Sequence, residues 1–254
     1  MVPSEDGPGV VVAPPGPLAG WRVAVTAVRR REEQARLLRR AGAGVVFAAG
    51  AHDPRAPTGR PAGSAPEVPL LDALARRHVD AVTFTTTAAV RDLVARSAHD
   101  RRGEEALAAL AGDVVPGCLG AACAQAAASA GMSGIVASER LRLTALVEAL
   151  VASFRDAAVR LRLGGCDVVL QGALAVVGGE EVWLTSRERA LFAALARRPG
   201  TVVGKHDLLR SVWGAEAGDT HAVEVAVGRL RRRLGAAASG LETVPRRGYR
   251  LAGD

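Results

Sequence analysis

The sequence predicts an α/β domain built on a parallel sheet, followed by a smaller α+β domain. Two observations lead to this prediction, and the length of 254 residues leaves room for both domains. In residues 20–154, short apolar segments alternate with helical segments, which is typical of parallel strands joined by crossover helices. In residues 166–254, three short strands precede three helices, and two more short strands follow.

Hydrophobic spacing places the elements of the first domain. Its strands are short apolar runs, and its helices carry apolar residues three or four positions apart. We expect strands at 22–26, 45–48, 80–85, 113–119 and 135–136, and helices at 32–40, 70–77, 88–97, 104–110, 122–130 and 143–154.

Proline and glycine mark the segments predicted to lie outside regular structure. Residues 1–19 are rich in both and lack periodicity, so we expect a disordered lead. Residues 50–69 contain five prolines and predict a long loop within the first domain. Residues 155–165 are predicted to be a linker.

Turn signals and a helix-capping pattern organise the second domain. Gln171-Gly172 and Gly178-Gly179 separate its first strands, and Thr185 with Glu188 three positions later predicts a capping box at the start of a helix. We expect strands at 168–170, 173–177, 181–184, 242–244 and 249–251, and helices at 187–197, 205–213 and 222–234.

Composition argues against several classes of protein. No run of about 18 strongly apolar residues occurs, so we expect no membrane span, and the acidic start of the chain does not resemble a signal peptide. A cytoplasmic protein is therefore expected. The three cysteines form no C-x-x-C pair, so we predict neither a disulfide framework nor a metal site, and no cofactor. The net charge of +7 favours polyanionic partners.

The last predicted helix combines an apolar face with a cluster of arginines. Val223, Val227, Leu230 and Leu234 recur at spacings of four, three and four, which predicts one buried face. Arginines occupy positions 229, 231, 232 and 233. Their mutual repulsion would be relieved by a polyanion such as a nucleic-acid backbone, although a solvated helix face accounts for the charge equally well.

The basic helix followed by a basic hairpin resembles the OmpR/PhoB-type winged-helix DNA-binding domain. The matching segments cover most of the second domain and include Trp213-Gly214 and Gly248-Tyr249-Arg250-Leu251; they lie at 184–188, 199–203, 208–214, 223–234 and 242–251. The resemblance implies double-stranded DNA, bound at direct repeats, as the partner. It also implies contacts to bases from Val225 and Arg229, to bases or phosphates from Arg231, Arg232 and Arg233, and to the DNA backbone from Thr243. The wing position where the family often carries an arginine that enters the adjacent groove is Pro245 here, so Arg246 or Arg247 is expected to take that role.

The first domain lacks the residues of a phosphoacceptor receiver. Such a domain needs an acidic pair after its first strand, an Asp after its third and a nearby Lys. Here residues 28–31 contain no carboxylate, Asp80 lies at the start of its predicted strand rather than at its end, and the only lysine, Lys205, belongs to the second domain. We therefore expect no aspartyl phosphorylation.

The first domain instead resembles uroporphyrinogen-III synthase in part. The similar segments are 21–26, 34–42, 79–90, 116–127 and 143–150. Free backbone amides at helix starts favour anions. The resemblance implies that a tetrapyrrole-like or other anionic ligand binds at the starts of helices in this domain. The residues implied are Thr26, Thr85, Thr86, Thr87, Gly120 and Cys123. A threonine cluster that only caps a helix is the alternative.

The two resemblances together predict a transcriptional regulator. The synthase-like segment is long enough for one of the two lobes that ring closure requires, so we expect a degenerate domain that senses a ligand or docks a partner regulator, and no catalytic residue. The alternative is an active synthase of tetrapyrrole biosynthesis carrying a DNA-binding tail.

Overall fold

The computed structural model describes residues 16–49, 67–214 and 219–253. The chain divides into two compact units, with the boundary between Ala157 and Ala158. In the described residues, no helix is both long and apolar enough to cross a membrane.

The first unit is built on a six-stranded sheet in which every pair of neighbouring strands is parallel. The strand order is β3-β2-β1-β4-β5-β6. The predicted parallel α/β architecture is therefore confirmed. The strands are β1 (Arg22–Val25), β2 (Gly44–Ala49), β3 (Glu67–Pro69), β4 (Ala81–Phe84), β5 (Val115–Cys118) and β6 (Val136–Ala137). The helices are α1 (Arg31–Arg40), α2 (Leu70–Ala75), α3 (Thr87–Ser97), α4 (Gly103–Gly112), α5 (Ala121–Ser129) and α6 (Leu143–Arg155).

Each face of this sheet carries its own apolar core. Residues of α1 and α6 form one cluster with side chains of β1 and β2, including the fully buried Leu38 and Leu150. Residues of α2, α3, α4 and α5 form the other cluster, around Phe84 and Leu110. Because successive side chains of a strand point to opposite faces, β1 contributes Val23 and Val25 to one core and Ala24 to the other.

Three predicted boundaries were wrong. In two of them, residues assigned to irregular structure pair with distant parts of the chain. Leu18, placed in the disordered lead, is fully buried, and its backbone N–H donates to the Ala41 carbonyl at 2.8 Å. Glu67–Pro69, placed in the proline-rich loop, is strand β3 paired with β2. The remaining residues of both segments, 1–15 and 50–66, lie outside the described ranges.

The third correction concerns the predicted linker at 155–165. Its residues form β7 (Val159–Leu163), which pairs with the next strand, and Leu163 is fully buried in the core of the second unit. The alternating exposure along β7 explains the error, since a strand with exposed Arg160 and Arg162 has the composition of a polar connector. The second unit therefore begins at Ala158 rather than at residue 166.

The second unit opens with an antiparallel four-stranded sheet in the order β10-β9-β8-β7. Three helices and a two-stranded hairpin follow. The additional strands are β8 (Cys166–Gln171), β9 (Leu174–Val177), β10 (Glu180–Trp183), β11 (Leu241–Val244) and β12 (Gly248–Leu251). The helices are α7 (Ser186–Ala196), α8 (Lys205–Trp213) and α9 (His221–Leu234), with a short 3-10 helix at Gly235–Gly240.

The predicted capping box at the start of α7 is confirmed. The Thr185 hydroxyl accepts from the Glu188 backbone N–H at 3.3 Å, and the Glu188 carboxylate accepts from the Thr185 backbone N–H at 2.8 Å. These reciprocal bonds satisfy amides that have no partner inside the helix. They also explain how Glu188 can be buried in this unit.

Candidate nucleic-acid interface

Helix α9 separates apolar from basic residues, as its spacing predicts. Val223, Val227, Leu230 and Leu234 are buried and belong to one core cluster with α7, α8 and the hairpin. Val225 is 40% exposed, and Arg229, Arg232 and Arg233 are exposed. Positions 225, 229 and 232 are four and three residues apart, so they share one exposed side of the helix. This side presents an apolar contact beside two guanidinium groups.

Arg231 differs from the other arginines of the cluster, and its predicted outward orientation needs correction. Its Nε and Nη2 donate to the Leu241 carbonyl oxygen at 3.0 and 2.6 Å, and Nη2 also donates to the Thr243 hydroxyl at 2.8 Å. The side chain is half-buried. The predicted outward-pointing group of four arginines is therefore a group of three, because the fourth guanidinium bonds to β11.

The hairpin β11–β12 is the predicted wing, and its tip carries the two predicted arginines. Leu241–Val244 pairs in antiparallel register with Gly248–Leu251, and residues 245–247 connect them. The Arg247 backbone N–H donates to the Val244 carbonyl at 3.0 Å, closing the turn. Arg246 and Arg247 are both exposed. Arg246 has a φ of 62°, a left-handed conformation that costs a side-chain-bearing residue about 1–2 kcal/mol.

The wing is held against the segment between α7 and α8. Val203 and Tyr249 exchange backbone hydrogen bonds of 2.8 and 3.0 Å, and Tyr249 is buried. A Cβ added at Gly248 would lie 2.0 Å from the Val203 carbonyl oxygen. Only glycine allows this approach, so Gly248 fixes how closely the wing packs on the loop.

An ion-pair cluster that sequence reasoning did not identify joins α8 to α9. Lys205 Nζ lies 2.5 Å from Glu224 Oε1, and His221 Nδ1 lies 3.4 Å from Glu224 Oε2. The hydrogen bond from Lys205 is the main cause of a lowered pKa at Glu224, and the bond from His221 is the second cause. The bond to Glu224 in turn raises the pKa of Lys205. The only sequence signal was a single lysine at a helix start, since its partner is 19 residues away.

Comparison with known proteins assigns this region to a family. Residues 179–251 match the family described as transcriptional regulatory protein, C terminal. This part of the chain is a winged-helix DNA-binding domain of the OmpR/PhoB type. It includes α7, α8, α9 and both strands of the wing, whereas the winged-helix unit of the structure begins earlier, at Ala158.

The relatives of the winged helix share only this part of their length with the chain. The transcriptional regulatory protein PrrA of Mycobacterium leprae is 38% identical over 94 residues, which cover 37% of this chain and 40% of PrrA. The transcriptional regulatory protein KdpE of Mycobacterium tuberculosis is 43% identical over 68 residues, covering 26% and 30%. The DNA-binding domain of RstA from Klebsiella pneumoniae is 30% identical, covering 32% of this chain and 76% of that domain, with a TM-score of 0.29. The chain thus spans about two fifths of the length of PrrA.

Outside the winged helix, the predicted ligand residues follow three strands of the parallel sheet. Thr26 follows β1, Thr85, Thr86 and Thr87 follow β4, and Gly120 follows β5. The carboxyl ends of parallel strands meet at one edge, so the structure brings these residues to the same edge of the sheet. Strand order reverses between β1 and β4, the position at which open α/β sheets form a binding crevice. Asp80 lies at the opposite edge, where its carboxylate accepts from the Arg22 backbone N–H at 2.7 Å.

The hydroxyl groups at this edge differ in their availability. Thr26 is buried and donates to the Thr83 carbonyl at 2.8 Å, which ties β1 to β4. Thr86 is exposed and accepts from the Ala89 backbone N–H at 3.2 Å, so it caps α3. Thr85 and Thr87 are half-buried. The capping alternative therefore applies to Thr86, and Thr85 and Thr87 remain the predicted ligand contacts.

Gly120 directly precedes α5 and Cys123 lies in its first turn. The predicted contact between the Cys123 thiol and a ligand needs correction. The buried Cys123 thiol donates to the Phe84 carbonyl at 3.4 Å. A hydrogen bond from Cys118 lowers its pKa, and the same bond and burial raise the pKa of Cys118. With its sulfur facing the protein interior, Cys123 does not offer its thiol to a ligand. Gly120 has a φ of 84°, and its N–H lies 3.2 Å from the Ser138 hydroxyl.

Proposed function

We propose that this protein is a sequence-specific DNA-binding transcriptional regulator. The observation that carries the proposal is the exposed side of α9, where Val225, Arg229 and Arg232 lie together on a helix whose opposite side is buried. An α-helix fits the major groove, and an arginine fork matches the acceptors of guanine. The names of the relatives PrrA and KdpE, both transcriptional regulatory proteins, support the same function.

The proposal gives each exposed residue a role. Val225 and Arg229 face base edges, and Arg232 and Arg233 face bases or phosphates. The Thr243 hydroxyl contacts the sugar-phosphate backbone of the DNA. Arg246 and Arg247 reach the neighbouring groove from the wing. Arg246 supports this placement because a strained, charged residue at a position suited to glycine is the kind of outlier found at functional sites. Two copies of the domain bound to a direct repeat would double the number of contacts with DNA.

Salt-dependent binding tests this function. The full chain is titrated with a duplex enriched from a random-sequence pool, at about 50 and 200 mM salt. We expect a steep loss of affinity with salt, because each neutralised phosphate releases counterions. Arg229→Ala should cost on the order of 1 to 3 kcal/mol and relax the preference at one base pair, whereas Arg233→Ala should weaken all sequences alike.

A matched control removes the same charge elsewhere in the unit. Arg160→Ala acts on the exposed side of β7 and should leave the sequence preference unchanged. If Arg229→Ala and Arg160→Ala behave alike, α9 is not the reading helix. Binding that is insensitive to salt, or absent, would reject the proposed function.

We further propose that the first unit senses an anionic small molecule at the carboxyl edge of its sheet. The supporting observation is that Thr85, Thr87 and Gly120 lie at the edge where the strand order reverses and where α3 and α5 begin. A tetrapyrrole with several carboxylates is the ligand suggested by the resemblance to uroporphyrinogen-III synthase. The proposal includes no turnover, because the segment corresponds to one lobe of such an enzyme.

Incubation with hydroxymethylbilane distinguishes the sensor from the synthase. The sensor should show a rise in thermal stability with the bilane, reduced in Thr85→Val, and only the spontaneous isomer-I product. Formation of isomer III above that background would establish the alternative, an active synthase with a DNA-binding domain. An unchanged melting temperature together with no isomer III would reject both.

A further inference from the structure

We propose that Arg231 is a positioning residue that fixes the wing relative to helix α9. Arg231 lies in the last turns of α9, and its guanidinium reaches β11, ten residues further along the chain. Two of its nitrogens contact the Leu241 carbonyl and the Thr243 hydroxyl. Its role rests on the proposed binding of DNA, but the contact itself belongs to the protein without DNA.

The register of the hairpin shows why β11 needs this contact. Tyr249 directs its backbone N–H and carbonyl to Val203, away from β11. Thr243 is its register partner, so the backbone groups of Thr243, and of Leu241 two residues earlier, face the opposite side of the hairpin. This outer edge of β11 is where Arg231 bonds. The wing is thus attached on one edge through Val203 and on the other through Arg231.

The guanidinium has the shape that this attachment requires. Its planar fork offers two parallel donors, here Nε and Nη2, to a single carbonyl oxygen, and Nη2 also reaches a hydroxyl. A lysine keeps the charge but is a point donor on a flexible stem. Arg232 and Arg233 are exposed and carry charge at the surface of the same turn. Neither of them has to place two parallel donors on one carbonyl oxygen.

The consequence for binding is that Arg231 acts through Arg246 and Arg247. Those two residues lie at the far end of the strand that Arg231 holds, so a wing released on that edge no longer keeps its tip at a fixed distance from α9. A group that acts only through the wing has no further effect once the wing arginines are gone. A group that contacts DNA itself weakens binding whether or not they are present.

A double-mutant cycle on the full chain tests this difference. The variants are Arg231→Gln, Arg231→Lys, the wing pair Arg246→Ala/Arg247→Ala, and each Arg231 change combined with the wing pair. The probe is the duplex enriched from a random-sequence pool. Amide hydrogen exchange of residues 241–244 is measured without DNA, and circular dichroism checks that each variant is folded.

We expect Arg231→Gln and Arg231→Lys each to weaken binding on the order of ten-fold in the wild-type background and less than about two-fold in the wing-pair background. Both should speed exchange in β11. Equal losses in the two backgrounds would show direct contact with DNA and overturn the proposal, as would full retention of affinity by Arg231→Lys or unchanged exchange. Failure of the unmodified chain to bind any duplex would instead reject the proposed function, and the exchange result would still decide whether Arg231 holds β11.

Discussion

Replacing Gly248 by alanine should break the contact between the wing and Val203, in the segment between α7 and α8. The new Cβ would lie 2.0 Å from the Val203 carbonyl oxygen and 2.8 Å from its carbon, distances that no backbone tolerates. The φ of 140° at this position is also restricted to glycine. The hairpin must therefore move away from Val203, with loss of the two hydrogen bonds of 2.8 and 3.0 Å.

The magnitude follows from these terms. Each of the two lost hydrogen bonds contributes about 1 kcal/mol, and the forced backbone conformation costs about 1–3 kcal/mol, so we expect a loss of about 3 to 5 kcal/mol. That is a large share of the roughly 5–15 kcal/mol that stabilises a typical domain. The wing should also become mobile, which would reduce the affinity for duplex DNA.

Urea unfolding of the full chain measures the loss, in a Trp21→Phe background. The two remaining tryptophans, at positions 183 and 213, then both belong to the second unit. Gly228→Ala is the matched control, because the residue is in α9 and, among the described residues beyond its own stretch of helix, no atom lies within 4 Å of its added Cβ. It should stabilise the unit by about 1 kcal/mol. A loss below about 1 kcal/mol for Gly248→Ala would refute the packing of the wing on Val203.

Three further changes test other parts of the second unit. Arg246→Gly should stabilise it by up to about 1 kcal/mol in urea unfolding by relieving the left-handed conformation, yet weaken duplex binding; weaker stability would contradict the strain. Thr185→Ala should cost about 1 kcal/mol by opening the capping box, and an unchanged unfolding midpoint would show that the box contributes nothing. The lowered pKa of Glu224 means that its pairing with Lys205 is present at neutral pH and is lost as pH falls through that pKa. The stability difference between wild type and Glu224→Gln should therefore shrink in acid, and a constant difference would contradict the pairing.

Local spacing was sufficient to predict the elements that depend on near neighbours in the chain. The buried face of α9 follows from apolar residues three and four positions apart, and the capping box at Thr185 involves two residues three positions apart. The alternation of strands and helices likewise predicted the parallel sheet, because parallel strands need a crossover between them. In each case the partners are brought together by the geometry of one or two elements.

Tertiary packing decided what the same residue types do. Arg231 and Arg232 are adjacent in sequence and identical in chemistry, but only Arg231 meets β11, because the hairpin folds back against that side of α9. The Cys123 thiol faces inward and donates to the Phe84 carbonyl, which belongs to a different strand–helix unit, and Glu67–Pro69 joined the sheet by pairing with β2. Hydrogen bonds of this kind depend on where distant backbone groups come to lie, and that position is set by the packing of the whole core.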